Sequence, residues 1–179
     1  QPLAVDQYDN AKPRVPDGVT VQRNLIYRTA ETNHGPVDLL MDLYLPPESR
    51  TQPVPVILNI HGGGWAQGSK SYVMTPWITG EGYALASIEY RFGQESPYPA
   101  QLHDVKAAIR WLRTHAEEYH LDPNRVGVIG ASSGGHLAAM LGVTIGMPDM
   151  EGQGDNLDQR SDVQAVADLF GPADLTDRK

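Results

Sequence analysis

One strand-to-helix transition constrains this chain more than any other feature. The short apolar run Val126–Ile129 passes directly into Gly130-Ala131-Ser132-Ser133-Gly134-Gly135, and a small, apolar, helix-compatible stretch follows to Val143. A chain that reverses this sharply needs glycine on both sides of the turn, because a Cβ there would strike the neighbouring strand or helix. The residue at the apex is forced into strained backbone geometry, and its side chain is lifted clear of the sheet. Gly130 and Gly134 bracket Ser132 symmetrically. Centring the turn on Ser133 would place Ala131, with its Cβ, at a flank. Ser132 is therefore the predicted nucleophile, at the positive end of the following helix, and Ser133 contributes a backbone N–H. The competing reading is a Ser/Gly-rich turn that only caps a helix.

The same alternation recurs along the chain. Val54–Ile60 is a short, nearly all-apolar run, the mark of a strand buried on both faces. Ala84–Tyr90 and Val166–Phe170 repeat it. Pro99–His120 carries Leu102, Val105, Ala108, Ile109, Leu112 and Ala116 at helical spacing. Strands alternating with helices predict a mostly parallel sheet with right-handed crossovers. Upstream, Val21–Arg28 and Val37–Leu45 have strand character with a loop at Asn33–Pro36, which predicts an antiparallel pair. Residues 1–20, rich in Pro, Asp and Gly, read as an irregular entry segment. Residues 21–179 read as part of one domain.

His61-Gly62-Gly63-Gly64-Trp65 follows the third predicted strand. Ester cleavage builds negative charge on a carbonyl oxygen, and fixed N–H donors must point at it; a glycine run offers backbone donors with no side chains in the way. Gly63 and Gly64 are the predicted oxyanion donors, joined by Ser133. One such donor contributes roughly 3–4 kcal/mol to the transition state, which outweighs the about 0.5–1 kcal/mol that each glycine costs in folding. An ordinary Gly-rich loop is the plainer alternative. A phosphate-binding loop lacks its Gly-x-x-x-x-Gly-Lys-Ser/Thr pattern. Trp65 is expected either to line the acyl or sugar pocket or to pack in the core.

Among the six histidines, His61 and His136 are expected to support the site structurally rather than to act as its base. His103 and His120 are expected at the surface or in packing. Met147–Asp162 reads as a long exposed loop that could be mobile. Asp149, Glu151, Asp155 and Asp158 could be imagined around calcium, but their spacing is not that of an EF-hand loop, and a solvated loop is expected. No metal and no cofactor are called for. The chain has no cysteine, which excludes disulfides and Cys-ligated metal. A net charge of −8 disfavours nucleic acid and anionic membrane as partners, and no apolar run approaches the roughly 20 residues of a spanning helix. The chain opens on Gln1 rather than Met. A removed secretory signal would explain that and point to a secreted or periplasmic protein, and so would deliberate trimming.

With both glycine motifs placed, the chain resembles the hormone-sensitive-lipase-like branch of α/β-hydrolases, and more narrowly the bacterial esterases that remove acetyl or feruloyl groups from xylan. The resemblance is carried by His61–Trp65, Ile88–Arg91, Tyr98–Gln101 with Asp104, Ala107–Leu112, Leu121–Val126, Gly130–Gly135 and Asp168–Leu175. It runs in order from about residue 37 to the end. It implies an α/β-hydrolase three-layer sandwich, incomplete at its C-terminus, and a serine esterase acting on a small-molecule or oligosaccharide ester. Two departures stand out: Ala131 replaces an Asp common before the serine, and Phe92-Gly93 replaces the Ala-Pro-Glu of lipolytic relatives. The resemblance also implies a triad in the order Ser, Asp, His. Asp174 lies too close to the sixth strand to be the acid, so acid and base are expected beyond Lys179, and a sheet edge is expected to be unpaired. An amidase, formamidase or peptidase on the same fold, and a non-catalytic binding domain, remain as alternatives.

Overall fold

The computed structural model describes residues 14–47, 51–154 and 156–176. Its centre is one six-stranded sheet in the order β1-β2-β4-β3-β5-β6. β1 (Thr20–Thr32) and β2 (Gly35–Leu45) form the expected antiparallel pair, and β2 lies antiparallel to β4 (Ala84–Ile88). From there the sheet is parallel: β3 (Val54–Ile60) runs with β4 and with β5 (Leu121–Ala131), and β5 runs with β6 (Ala165–Leu169).

Register explains what each face does. Leu43, Ala86, Leu58 and Val128 align across β2, β4, β3 and β5, and all four are buried. Both helices, α1 (Ala100–Thr114) and α2 (Ser133–Val143), pack on this side and against each other. Leu102, Val105, Ile109 and Leu112 of α1 and Leu137 and Leu141 of α2 complete one apolar cluster. Because successive strand residues alternate faces, the next row, Asp42, Ser87 and Asn59, looks the other way. These three are fully buried and polar, and the segment after β3 satisfies them.

Several boundaries differ from the sequence expectation. The helix predicted over 99–120 ends at Thr114; His115 caps it, and His120 takes a left-handed backbone (φ 55°) before β5 begins. β1 runs to Thr32, and β5 starts at Leu121. The described residues of the Met147–Asp162 segment are mostly exposed, as their composition suggests, but the segment is also tied to the core. Glu151 returns to α1, where it meets Lys106 Nζ at 2.6 Å and Arg110 Nη1 at 3.1 Å, and it also accepts from Ser161 Oγ at 2.6 Å. Both cations are fully buried, and an uncompensated charge there would cost several kcal/mol, on the order of 3–5. The acidic segment is thus a counter-ion strap. Of the imagined calcium set, Asp155 lies outside the described residues, and among those described no group of three or more His, Asp or Glu side chains converges. No helix in the described residues is long and apolar enough to cross a membrane.

Candidate active site

The parallel strands end on one side of the sheet, and their C-terminal ends carry the candidate residues, where open α/β sheets bind ligands. Ser132 sits between β5 and α2 with φ 55° and ψ −122°. Positive φ in a non-glycine residue is sterically costly, and such strain clusters at functional positions. Its amide donates to the Leu169 carbonyl at 2.9 Å and its carbonyl accepts from His136 N at 3.0 Å, so the apex is tied to β6 and to the first turn of α2. Ser132 is exposed, whereas Ser133 is buried.

The flanking glycines have the steric reason anticipated. A Cβ on Gly130 would run into the Gly134 carbonyl, and one on Gly134 into the Ile60 carbonyl of β3. Gly62 closes the relation between the two motifs: a Cβ there would lie 2.9 Å from the Ala131 carbonyl oxygen and 3.4 Å from Ser132 Cβ. The glycine loop therefore lies against the serine turn. Gly63 and Gly64 both take positive φ (122° and 64°), as does Trp65 (58°). Gly63 accepts from the amides of Ala66 and Gln67 at 3.2 Å each. The amide of Ser133 opens α2, at the end of the helix whose first N–H groups have no partner within the helix.

His61 is fully buried, with Nδ1 2.7 Å from the Gly62 carbonyl and its ring stacked on Tyr90 at 4.4 Å. Burial pushes its pKa down to about 4, against the smaller opposing effect of that hydrogen bond. A neutral, pinned imidazole holds the loop. His136, on α2, meets Trp65 edge-on at 5.2 Å. His103 packs against Gly152. Asp174 is fully exposed and bonds its own turn at Thr176 N and Oγ1, which holds its carboxyl below the usual range.

A cleft of about 300 Å³ opens at Ser132, bounded by Gly63, Gln67, Ser69, Tyr72 and Phe170 among others. Gly63 lines it, and Gly64 and Trp65 follow along the loop without lining it; Trp65 is half-buried against the core. Gln67, Ser69, Tyr72 and Phe170 were not anticipated. No short sequence pattern flags the first three; it is the structure that shows Gly68 must stay glycine, since its φ is 118° and a Cβ would strike the His61 ring. That marks 67–72 as a built part of the site.

A strained, exposed serine at a strand–helix turn, set beside a glycine loop on this sheet, defines an α/β-hydrolase. Residues 41–179 match the BD-FAE family model, and the chain belongs to that family. Esterase LipC of Mycobacterium tuberculosis is 33% identical over 144 residues, covering 78% of this chain and 35% of LipC. Among solved structures, a truncated carbohydrate esterase from gut microbiota is 37% identical with a TM-score of 0.76, over 86% of this chain and 57% of that one. Thermogutta terrifontis esterase 2, solved phosphorylated by paraoxon, is 29% identical with a TM-score of 0.67, over 86% of this chain and 57% of that one. The chain thus spans about a third of LipC's length.

Proposed function

We propose that this chain supplies the nucleophile and oxyanion hole of a serine carboxylesterase acting on short-chain or aromatic acyl esters of plant cell-wall carbohydrate, of the acetyl xylan or feruloyl esterase type. The observation that supports the reading is the closeness of the glycine loop to the serine turn: Gly62, Gly63 and the exposed, strained Ser132 border one cleft, and a Cβ added to Gly62 would lie 3.4 Å from Ser132 Cβ. Ser132 Oγ attacks the ester carbonyl and gives its proton to a histidine outside these 179 residues, held by a carboxylate also outside them. The N–H groups of Gly63, Gly64 and Ser133 stabilise the oxyanion. Collapse releases the alcohol with that proton, and water hydrolyses the acyl-enzyme by the same route. Trp65, packed against the core beyond the cleft, supports the glycine loop from its far end. The carbohydrate assignment is supported by the similarity to the gut carbohydrate esterase.

The test is a fluorophosphonate probe applied to the full-length protein, with the adduct mapped by peptide mass. Labelling at Ser132 is expected, with turnover of acetylated xylan or methyl ferulate and none of N-formylkynurenine. Labelling elsewhere, or an unlabelled but folded protein, overturns the reading.

A further inference from the structure

The polar row on the second face of the sheet grips the segment that borders the cleft. Asp42, fully buried on β2, receives Lys70 Nζ at 2.9 Å, together with Arg23 Nη1 at 2.8 Å and Asn24 N at 2.9 Å. Ser87 on β4 donates Oγ to the Lys70 carbonyl at 2.7 Å. Asn59 on β3 donates Nδ2 to the Tyr72 carbonyl at 2.9 Å and accepts from Met74 N at 3.3 Å. Three neighbouring strands thus hold residues 70–74 from beneath. The segment adds its own ties, Tyr72 N to the Ser69 carbonyl at 3.0 Å and Ser71 N to Ser69 Oγ at 3.1 Å. Lys70 is buried and turned to Asp42, away from the cleft. The Tyr72 side chain, by contrast, is half-exposed and borders the same cleft as Ser132.

The chemistry of the cleft decides which half of an ester it suits. Among the described residues, no Asp, Glu, Lys or Arg lines it. Ser69 Oγ accepts from Ser71 N and keeps its proton to donate, while His61 Nδ1 is paired with the Gly62 carbonyl. A sugar needs many side-chain hydrogen-bonding partners, and beside Ser132 and the pinned His61 the described wall offers few: the Gln67 amide and the hydroxyls of Ser69 and Tyr72. The rings of Tyr72 and Phe170 and the Ala131 methyl supply apolar surface instead. A volume of about 300 Å³ is at the small end of ligand sites.

We infer that this cleft receives the acyl group, neutral and short, and that Tyr72 is the specificity-determining residue that limits its length, with Lys70 as the positioning residue that holds Tyr72 through Asp42. The inference rests on the esterase reading above. Because the wall is anchored to the sheet, it selects by size rather than by adapting to each substrate.

The experiment compares kcat/KM for p-nitrophenyl acetate, butyrate and hexanoate in the full-length enzyme, its Tyr72→Ala and Tyr72→Phe variants, and Lys70→Met, each checked for a cooperative melt. The hexanoate-to-acetate ratio is expected to rise at least tenfold in Tyr72→Ala and to stay near the parent value in Tyr72→Phe, which keeps the ring. Lys70→Met, remote from the substrate, is expected to raise the ratio several-fold, a change that loss of stability alone does not produce. An active parent whose ratio is unmoved or lowered in Tyr72→Ala overturns the specificity role. A ratio unmoved in Lys70→Met overturns the positioning role. A parent inert on all three esters overturns the esterase reading and this inference with it.

Discussion

Tyr90 donates its hydroxyl to the main-chain carbonyl of His61 at 3.1 Å while the two rings stack 4.4 Å apart. One tyrosine therefore fixes both the backbone and the side chain of the residue that introduces the glycine loop. Burial raises the Tyr90 pKa to about 12, so the hydroxyl remains a donor at working pH. Tyr90→Phe keeps the stack and loses the bond. A net loss of about 1 kcal/mol is expected in stability. In activity, kcat should fall several-fold with KM nearly unchanged, because a slackened loop weakens oxyanion binding more than ground-state binding. Steady-state kinetics with a denaturant melt checks both.

The buried His61 gives stability a pH dependence. Its folded pKa is about 4 against an ordinary 6.5, so the unfolded chain binds the extra proton and the folded one does not. This contribution is present in full above pH 6.5 and is lost as pH falls toward 4. A tenfold difference in proton affinity corresponds to about 1.4 kcal/mol, so the loss across that window is on the order of 3 kcal/mol. Urea melts at about pH 7, 5.5 and 4.5, which sample most of the window, should show it. His61→Asn should flatten that part of the slope.

The strand–turn–helix and the two glycine motifs were legible in the sequence because each is a local steric requirement. Gly130, Gly134 and Ser132 meet within a few residues, and the register over Ser133 followed from where a Cβ is tolerated. The strap and the cleft wall were not legible, because their partners lie far away in sequence. Glu151 answers Lys106 forty-five residues earlier, and composition alone reads an acidic stretch as solvated. Lys70 is buried only because β2 places Asp42 beneath it, a fact of sheet register that no short pattern contains.

The strap makes its own prediction. Burial pushes the Glu151 carboxyl up, but the hydrogen bonds from Lys106 and Ser161 and the charges of Lys106 and Arg110 prevail, and its pKa ends below the ordinary value. Its contribution is present above the ordinary carboxylate range and lost as pH falls through the lowered value. Glu151→Ala leaves two buried cations without their counter-ion, a loss of about 3 kcal/mol, tempered by the partial exposure of Glu151 itself. Glu151→Asp, shorter by one methylene, should lose less. Hydrogen exchange should show residues 147–162 opening in Glu151→Ala well before the sheet does.

Two glycines of the site should respond oppositely to the same added methyl. Gly64 has φ 64°, and a Cβ added there would find nothing within 4 Å, so Gly64→Ala meets only the left-handed backbone cost of roughly 1–2 kcal/mol. Gly134 lies at the start of α2 with its Cα against β3, and an added Cβ would meet the Ile60 and His61 carbonyls. Backbone cannot step aside as a side-chain end can. The methyl must push α2 off the sheet, carrying Ser132 away from the glycine loop. Gly134→Ala is expected to lose about 3 kcal/mol and nearly all reaction with a fluorophosphonate, whereas Gly64→Ala stays folded and is labelled. Thermal melts run beside probe labelling separate the two, and equal behaviour would mean that close packing of α2 on β3 does not set the position of Ser132.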